Sequence, residues 1–157
     1  MTQVAGDFYD FLQLDERRVT VLIADVSGHG VPAALIASML KVAFAQQAVH
    51  AADPASVLAG LNSILNGVLD GQFVTAACAH IDLGAHAITY AGAGHPPAIL
   101  FRQTSGDMLE LADTGRDFRR SSHTLSYGLY CRKIKVKKQA FPCFAHFVTF
   151  THLSITS

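Results

Sequence analysis

The chain has 157 residues, half of them apolar, and its twelve basic and twelve acidic side chains cancel. That length supports one domain with a real core, and a net charge of zero gives no case for a nucleic-acid partner. No basic, apolar leader opens the sequence, and the apolar run 31–49 carries Lys41, two glutamines and a serine, so neither a secretory signal nor a membrane span is expected. The three cysteines, Cys78, Cys131 and Cys143, are odd in number and scattered, which fits a reduced, cytoplasmic protein better than a disulfide framework.

The charge is unevenly spread. Residues 1–115 hold four Lys/Arg and eleven Asp/Glu, a balance of −7, while residues 116–157 hold eight and one, a balance of +7. The expected organisation is therefore a body, 1–115, and an atypical basic tail, 116–157.

In chain order, Asp7 to Leu14 and Val19 to Asp25 read as strands of a hairpin around Asp15-Glu16-Arg17-Arg18. If the loop centres on Glu16, residue i faces residue 32−i, and Asp7 faces Asp25. Facing Cβ atoms in such a pair lie roughly 4.5–5.5 Å apart. Two bare carboxylates so placed repel, and one or two divalent cations would remove the repulsion. Both faces of the hairpin are apolar, Tyr9, Phe11, Val21 and Ile23 on one, Phe8, Leu12, Leu22 and Ala24 on the other. Cover on both sides is expected.

After Asp25 come Val26-Ser27-Gly28-His29-Gly30-Val31-Pro32, a strand end, a tight glycine loop and a helix start. Glycines let backbone approach a ligand closely. A carboxylate beside a helix N-terminus suits a cation, a phosphate, or both. Val31 to His50 reads as a helix apolar nearly all round, expected to pack between or across layers. Asp53-Pro54 opens a second helix reaching about Leu69, with a core stripe at Val57, Leu58, Leu61, Ile64, Leu65 and Val68, and Asp70-Gly71 closes it. Strands follow at Phe73–Ile81, Ala87–Ala91, Ala98–Arg102 and Met108–Leu111, separated by turns at Asp82-Leu83-Gly84 and Thr104-Ser105-Gly106-Asp107 and by the loop Gly92–Pro97. The order β-β-α-α-β-β-β-β predicts an α+β fold, a layered sandwich of antiparallel sheets flanked by helices.

Four ordered motifs stand out: Ala5-Gly6-Asp7-Phe8-Tyr9-Asp10-Phe11; Ile23-Ala24-Asp25-Val26-Ser27-Gly28-His29-Gly30-Val31-Pro32-Ala33-Ala34; Phe73-Val74-Thr75-Ala76; and Tyr90-Ala91-Gly92-Ala93-Gly94-His95-Pro96-Pro97. Together they resemble the bacterial sigma-factor-regulator phosphatases, the sporulation-stage-II and stress-response branch of the type-2C, metal-dependent protein phosphatases. The resemblance implies two packed antiparallel sheets with helices outside, and hydrolysis of phosphoserine or phosphothreonine with two Mn²⁺ or Mg²⁺ ions, often on anti-anti-sigma-like phosphoproteins. It assigns metal binding to Asp7, Asp25 and the backbone carbonyl of Val26. Hard oxygen donors suit these ions. Asp10 either orients the site from behind or is a solvated strand residue. His29 and His95, in the glycine loops with Gly28 and Gly30, either assist proton transfer or are held by backbone hydrogen bonds. Cys78 reads as inert core.

The resemblance stops near Gly115. The family's later Pro-Leu-Gly, Thr-Asp-Gly and paired-aspartate motifs do not follow, and Asp117 is the only acid beyond that point. The expectation is a fold incomplete at its C-terminus, with a frameshifted or truncated, non-family tail. Two functions stand: a metal-dependent protein phosphatase, weakly active or inactive as written, and a non-catalytic remnant or binding module that keeps the fold.

Overall fold

A computed structural model describes residues 6–69, 71–102, 106–111 and 130–135. Strands β1 (Asp7–Gln13) and β2 (Arg18–Val26) form the expected hairpin. Its turn is held by the Leu14 N–H on the Arg18 carbonyl and by the Asp15 carboxylate, which accepts from the Arg17 N–H and the Arg18 guanidinium. Those donors hold the Asp15 carboxyl below the usual carboxylate range, the Arg17 backbone N–H first among them.

Helix α1 (Val31–Gln46) continues as a 3-10 turn to His50, and α2 (Pro54–Leu65) follows. Asp53 caps α2, its carboxylate accepting from the Ala55 N–H and the Ser56 hydroxyl. The helix stops four residues before the expected Leu69, because Gly67 takes a left-handed φ of 90° that a helix cannot continue through. Strands β3 (Val74–Asp82), β4 (Ala87–Ala93), β5 (Ala98–Arg102) and β6 (Asp107–Leu111) come next, and β7 is Tyr130–Lys135.

Five strands form one antiparallel sheet in the order β1-β2-β3-β4-β7, and β5 pairs with β6 in a second. Strand alternation gives the large sheet two different faces. On one, Leu22, Ala24 and Val26 of β2, Val74, Ala76 and Cys78 of β3, and Ala91 and Ala93 of β4 pack against Leu40 and Phe44 of α1 and Leu58 and Leu61 of α2. On the other, Ala77, Ala79, Ile88 and Tyr90 pack against Ala98, Leu100 and Leu111 of the small sheet. The result is the predicted layered sandwich. A buried polar link ties its helix layer to its sheet. The Thr20 hydroxyl donates to the Ala51 carbonyl and lies 2.9 Å from His80 Nδ1. A hydroxyl has one proton to give, so His80 Nδ1 carries the hydrogen in that second bond.

Three expectations differ from the structure. Among the described residues the small sheet covers the β3–β4 half of its face and none covers that face of the hairpin, where Tyr9 is 79% and Phe11 61% exposed. Helix α1 buries Ala33, Ile36, Leu40, Ala43 and Phe44 but leaves Val31, Leu35 and Val42 in solvent, as the 3-10 turn after it leaves Val49, so among the described residues it forms an outer layer. The run Val31–His50 is also long and apolar enough to cross a bilayer by length and composition, contrary to the reading from Lys41 and the glutamines. Its inner face is packed in the core described above. Within the expected tail 116–157, β7 pairs along the β4 edge of the large sheet. Phe141, Phe144, Phe147 and Phe150 lie outside the described residues, as does the rest of the tail.

Candidate metal-binding site

The hairpin register puts Asp7 directly opposite Asp25. Strand β3 extends the row, with Thr75 opposite Asp25. All three share the face that carries Tyr9 and Ile23. His95 joins them from the loop after β4: it is 5% exposed, and its Nδ1 lies 3.0 Å from the Thr75 hydroxyl. Burial pushes the His95 imidazole below its ordinary pKa, while the nearby charges of Asp25 and Asp7 pull it upward and only partly compensate. The partner of His95 is thus a side-chain hydroxyl rather than backbone.

Both aspartates are exposed, whereas Val26 is buried at 1%. The Val26 N–H donates to the Gly6 carbonyl at 3.2 Å. A Cβ on Gly6 would sit 2.3 Å from the Val26 carbonyl oxygen. Only a residue without a side chain permits that approach. The chain then turns through Gly28 and Gly30, with φ of 90° and 78°, and Gly30 caps α1 with no side-chain acceptor. This loop is clipped to the segment before β3. Ser27 N–H donates to the Phe73 carbonyl at 2.9 Å, Phe73 N–H donates to the Ser27 hydroxyl at 2.9 Å, and Gln72 Nε2 donates to the Ser27 carbonyl at 3.2 Å.

The structure does not bring every candidate together. Asp10 faces away from the row, on the helix side of β1, where its carboxylate takes an ion pair from Lys41 of α1 at 3.0 Å. It is neither behind the carboxylate pair nor a freely solvated residue, and the sheet lies between. His29 is exposed in the glycine loop. Cys78 is on the helix side too, and burial, with a smaller push from Asp53, raises its thiol far above the ordinary range, which keeps it protonated and unreactive. Sequence reasoning missed Thr75, Ser27 and Gln72. Thr75 lay inside a quoted motif, but its neighbour on β2 is fixed only by a pairing across two helices.

The family of Stage II sporulation protein E (SpoIIE) matches residues 15–116. This chain belongs to the SpoIIE family. It is 35% identical over 114 residues to phosphoserine phosphatase RsbU of Bacillus subtilis strain 168, covering 72% of this chain and 34% of that protein. The chain thus spans about a third of the length of the curated relatives it matches. Its fold is shared with the SiaA-PP2C domain of Pseudomonas aeruginosa, at a TM-score of 0.70 and 20% identity, covering 85% of this chain and 52% of that one. It is shared also with RsbX solved in complex with magnesium, at a TM-score of 0.61 and 19% identity, covering 82% and 60%.

For a SpoIIE-family chain the donor set can be tested against a hard cation. Two facing carboxylates and the Val26 carbonyl are all oxygen donors, as Mg²⁺ and Mn²⁺ require. The side of Val26 next to Gly6 is kept clear of any side chain. These residues fit one divalent ion. Among the described residues no group of three or more His, Cys, Asp or Glu is placed to hold a metal ion, so they do not supply the acids for a second.

Proposed function

We propose that this chain carries the metal-binding segment of a metal-dependent phosphoserine/phosphothreonine protein phosphatase, acting in sigma-factor regulation on an anti-anti-sigma-like phosphoprotein. The observation that carries the reading is the Asp7–Asp25 pair, set face to face across the hairpin next to the Val26 carbonyl. Asp7, Asp25 and Val26 would hold Mn²⁺ or Mg²⁺. Bound there, such an ion supplies a Lewis acid for phosphoryl oxygens and makes a coordinated water nucleophilic near neutral pH.

The chain's own residues do the rest. The two carboxylates gather positive charge at one end of the sheet, where a phosphate dianion can follow. The Gly28–Gly30 loop admits backbone close to that phosphate, and the uncapped first turn of α1 offers N–H groups and the positive end of its dipole. Thr75 and His95 form the polar flank of the row, and the imidazole, held neutral by burial, can accept a proton. A reduced, cytoplasmic setting suits the buried free Cys78.

The second reading is a binding module that keeps the fold without turnover, favoured by the absence of a three-acid cluster among the described residues. Manganese-dependent release of phosphate from a phosphoserine protein separates the two. The expected result is slow hydrolysis that Asp25→Ala removes. Robust turnover that survives both Asp7→Ala and Asp25→Ala contradicts the site.

A further inference from the structure

We infer that Ser27 and Gln72 are positioning residues for the proposed metal site: with the backbone of Phe73 they hold the Val26–Ser27 peptide so that the Val26 carbonyl points to the β1 side of β2, where Asp7 lies. The inference rests on the reading of Val26 as a ligand.

A trans peptide is planar, and its C=O and N–H point in opposite directions. The Val26 carbonyl and the Ser27 N–H belong to one such unit, so whatever holds the N–H also aims the carbonyl. The Ser27 N–H donates to the Phe73 carbonyl at 2.9 Å, on the β3 side of β2. The Val26 carbonyl is thereby turned to the β1 side, and its oxygen lies against Gly6, where a side chain on that residue would otherwise sit.

One hydrogen bond leaves a peptide able to rock about it. Two more restrain it. The Ser27 hydroxyl accepts from the Phe73 N–H at 2.9 Å, which closes a ring between the two residues. Gln72 Nε2 donates to the Ser27 carbonyl at 3.2 Å and so holds the next peptide unit. The carboxamide is packed on the loop, since a Cβ on Gly28 would come within 3.2 Å of Nε2. The β2–β3 ladder ends at Val26 and Val74. These bonds carry its restraint one residue further, into a loop whose Gly28 and Gly30 give the backbone wide freedom. Ser27 and Gln72 are uncharged, so they add no net attraction for a cation, and their effect on a metal is one of aim. Groups that orient a ligand from behind typically contribute about 10–100-fold in metal affinity. Asp7 and Asp25 lie within the paired strands and keep their places when the clip is cut.

The test compares the full chain with Gln72→Met, with Ser27→Ala plus Gln72→Met, and with Ser27→Thr. The first two remove donor or acceptor without adding charge, and the last keeps the hydroxyl. Electron paramagnetic resonance reads Mn²⁺ affinity, and urea unfolding reads stability. The Val26 carbonyl carbon resonance on adding Mg²⁺ reads that ligand alone. The double variant should bind Mn²⁺ about tenfold more weakly. It should lose the Mg²⁺ response of the Val26 carbonyl while the Asp7 and Asp25 carboxyl carbons still respond. Gln72→Met, which leaves the Ser27–Phe73 ring intact, should weaken binding in the same sense even where the double variant fails to fold, and Ser27→Thr should bind as the parent does. A parent that binds Mn²⁺ with variants that bind it equally well, whatever their urea midpoints, overturns the inference and leaves the metal site standing. Loss of all three Mg²⁺ responses together marks a displaced strand rather than a misaimed carbonyl, and overturns it too. A parent that binds no Mn²⁺ overturns the metal site and this inference with it.

Discussion

Gly6→Ala is the most informative small change this fold allows. The added methyl would lie 2.3 Å from the Val26 carbonyl oxygen and 3.1 Å from the Val26 Cβ. Ordinary contact needs more than 3.0 Å, so carbonyl and methyl must separate by at least 0.7 Å. Neither atom is the end of a flexible side chain. Gly6 is held by the bond between its carbonyl and the Val26 N–H, and Val26 is the last residue of β2, buried in the core. The shift must therefore pass into the backbone that carries the proposed ligand. Overpacking of this kind costs about 1–3 kcal/mol. A displacement near 1 Å in a reacting geometry costs on the order of 100-fold. Urea unfolding should show Gly6→Ala less stable by that 1–3 kcal/mol, and a manganese titration should show weaker binding than in the unsubstituted chain. Both Asp7 and Asp25 are unchanged in this variant, so any loss reports on the backbone. If Gly6→Ala binds Mn²⁺ as the parent does, the Val26 carbonyl is not a ligand.

Two further outcomes follow from the buried polar groups. Thr20→Val keeps the shape but strips the Ala51 carbonyl of its donor, and should lower stability by about 1–3 kcal/mol in denaturant titration; no change would mean the link between sheet and helix layer is immaterial. His95 has a folded-state pKa below its ordinary 6.5, so the unfolded chain takes up a proton that the folded chain refuses. Its contribution to stability is complete above pH 6.5 and falls as the pH drops below it. In the metal-free chain the unfolding midpoint should fall between pH 7.5 and 5.5, and His95→Gln should flatten that fall; an equal slope in the variant would refute the assignment.

The carboxylate pair was legible in the sequence because hairpin pairing is local. Three turn residues, Asp15 to Arg17, fix the register, and a count from Glu16 is enough to set Asp7 against Asp25. The other half of the row was not legible. Thr75 reaches Asp25 across a β2–β3 pairing separated by both helices, and no local count gives a non-local register. Asp10 shows the limit of reading acids by proximity in sequence. It is three residues from Asp7, and strand alternation sends it to the opposite face and to Lys41. Helix α1 misled for a different reason. Its composition is apolar all round, which normally marks an enclosed helix, but the sandwich supplies packing on one side only. Strand β7 rests on a pairing between residues about forty positions apart, which no local count can reveal.

The central claim is that Asp7, Asp25 and the Val26 carbonyl form a divalent-cation site. The direct measurement is electron paramagnetic resonance of Mn²⁺ titrated into the full chain, the Asp7→Ala variant and the Asp25→Ala variant. The account predicts one weakly held Mn²⁺ per chain, because few carboxylates make a weak site, and its loss in each variant. Manganese bound equally by all three proteins, or by none of them, would contradict it.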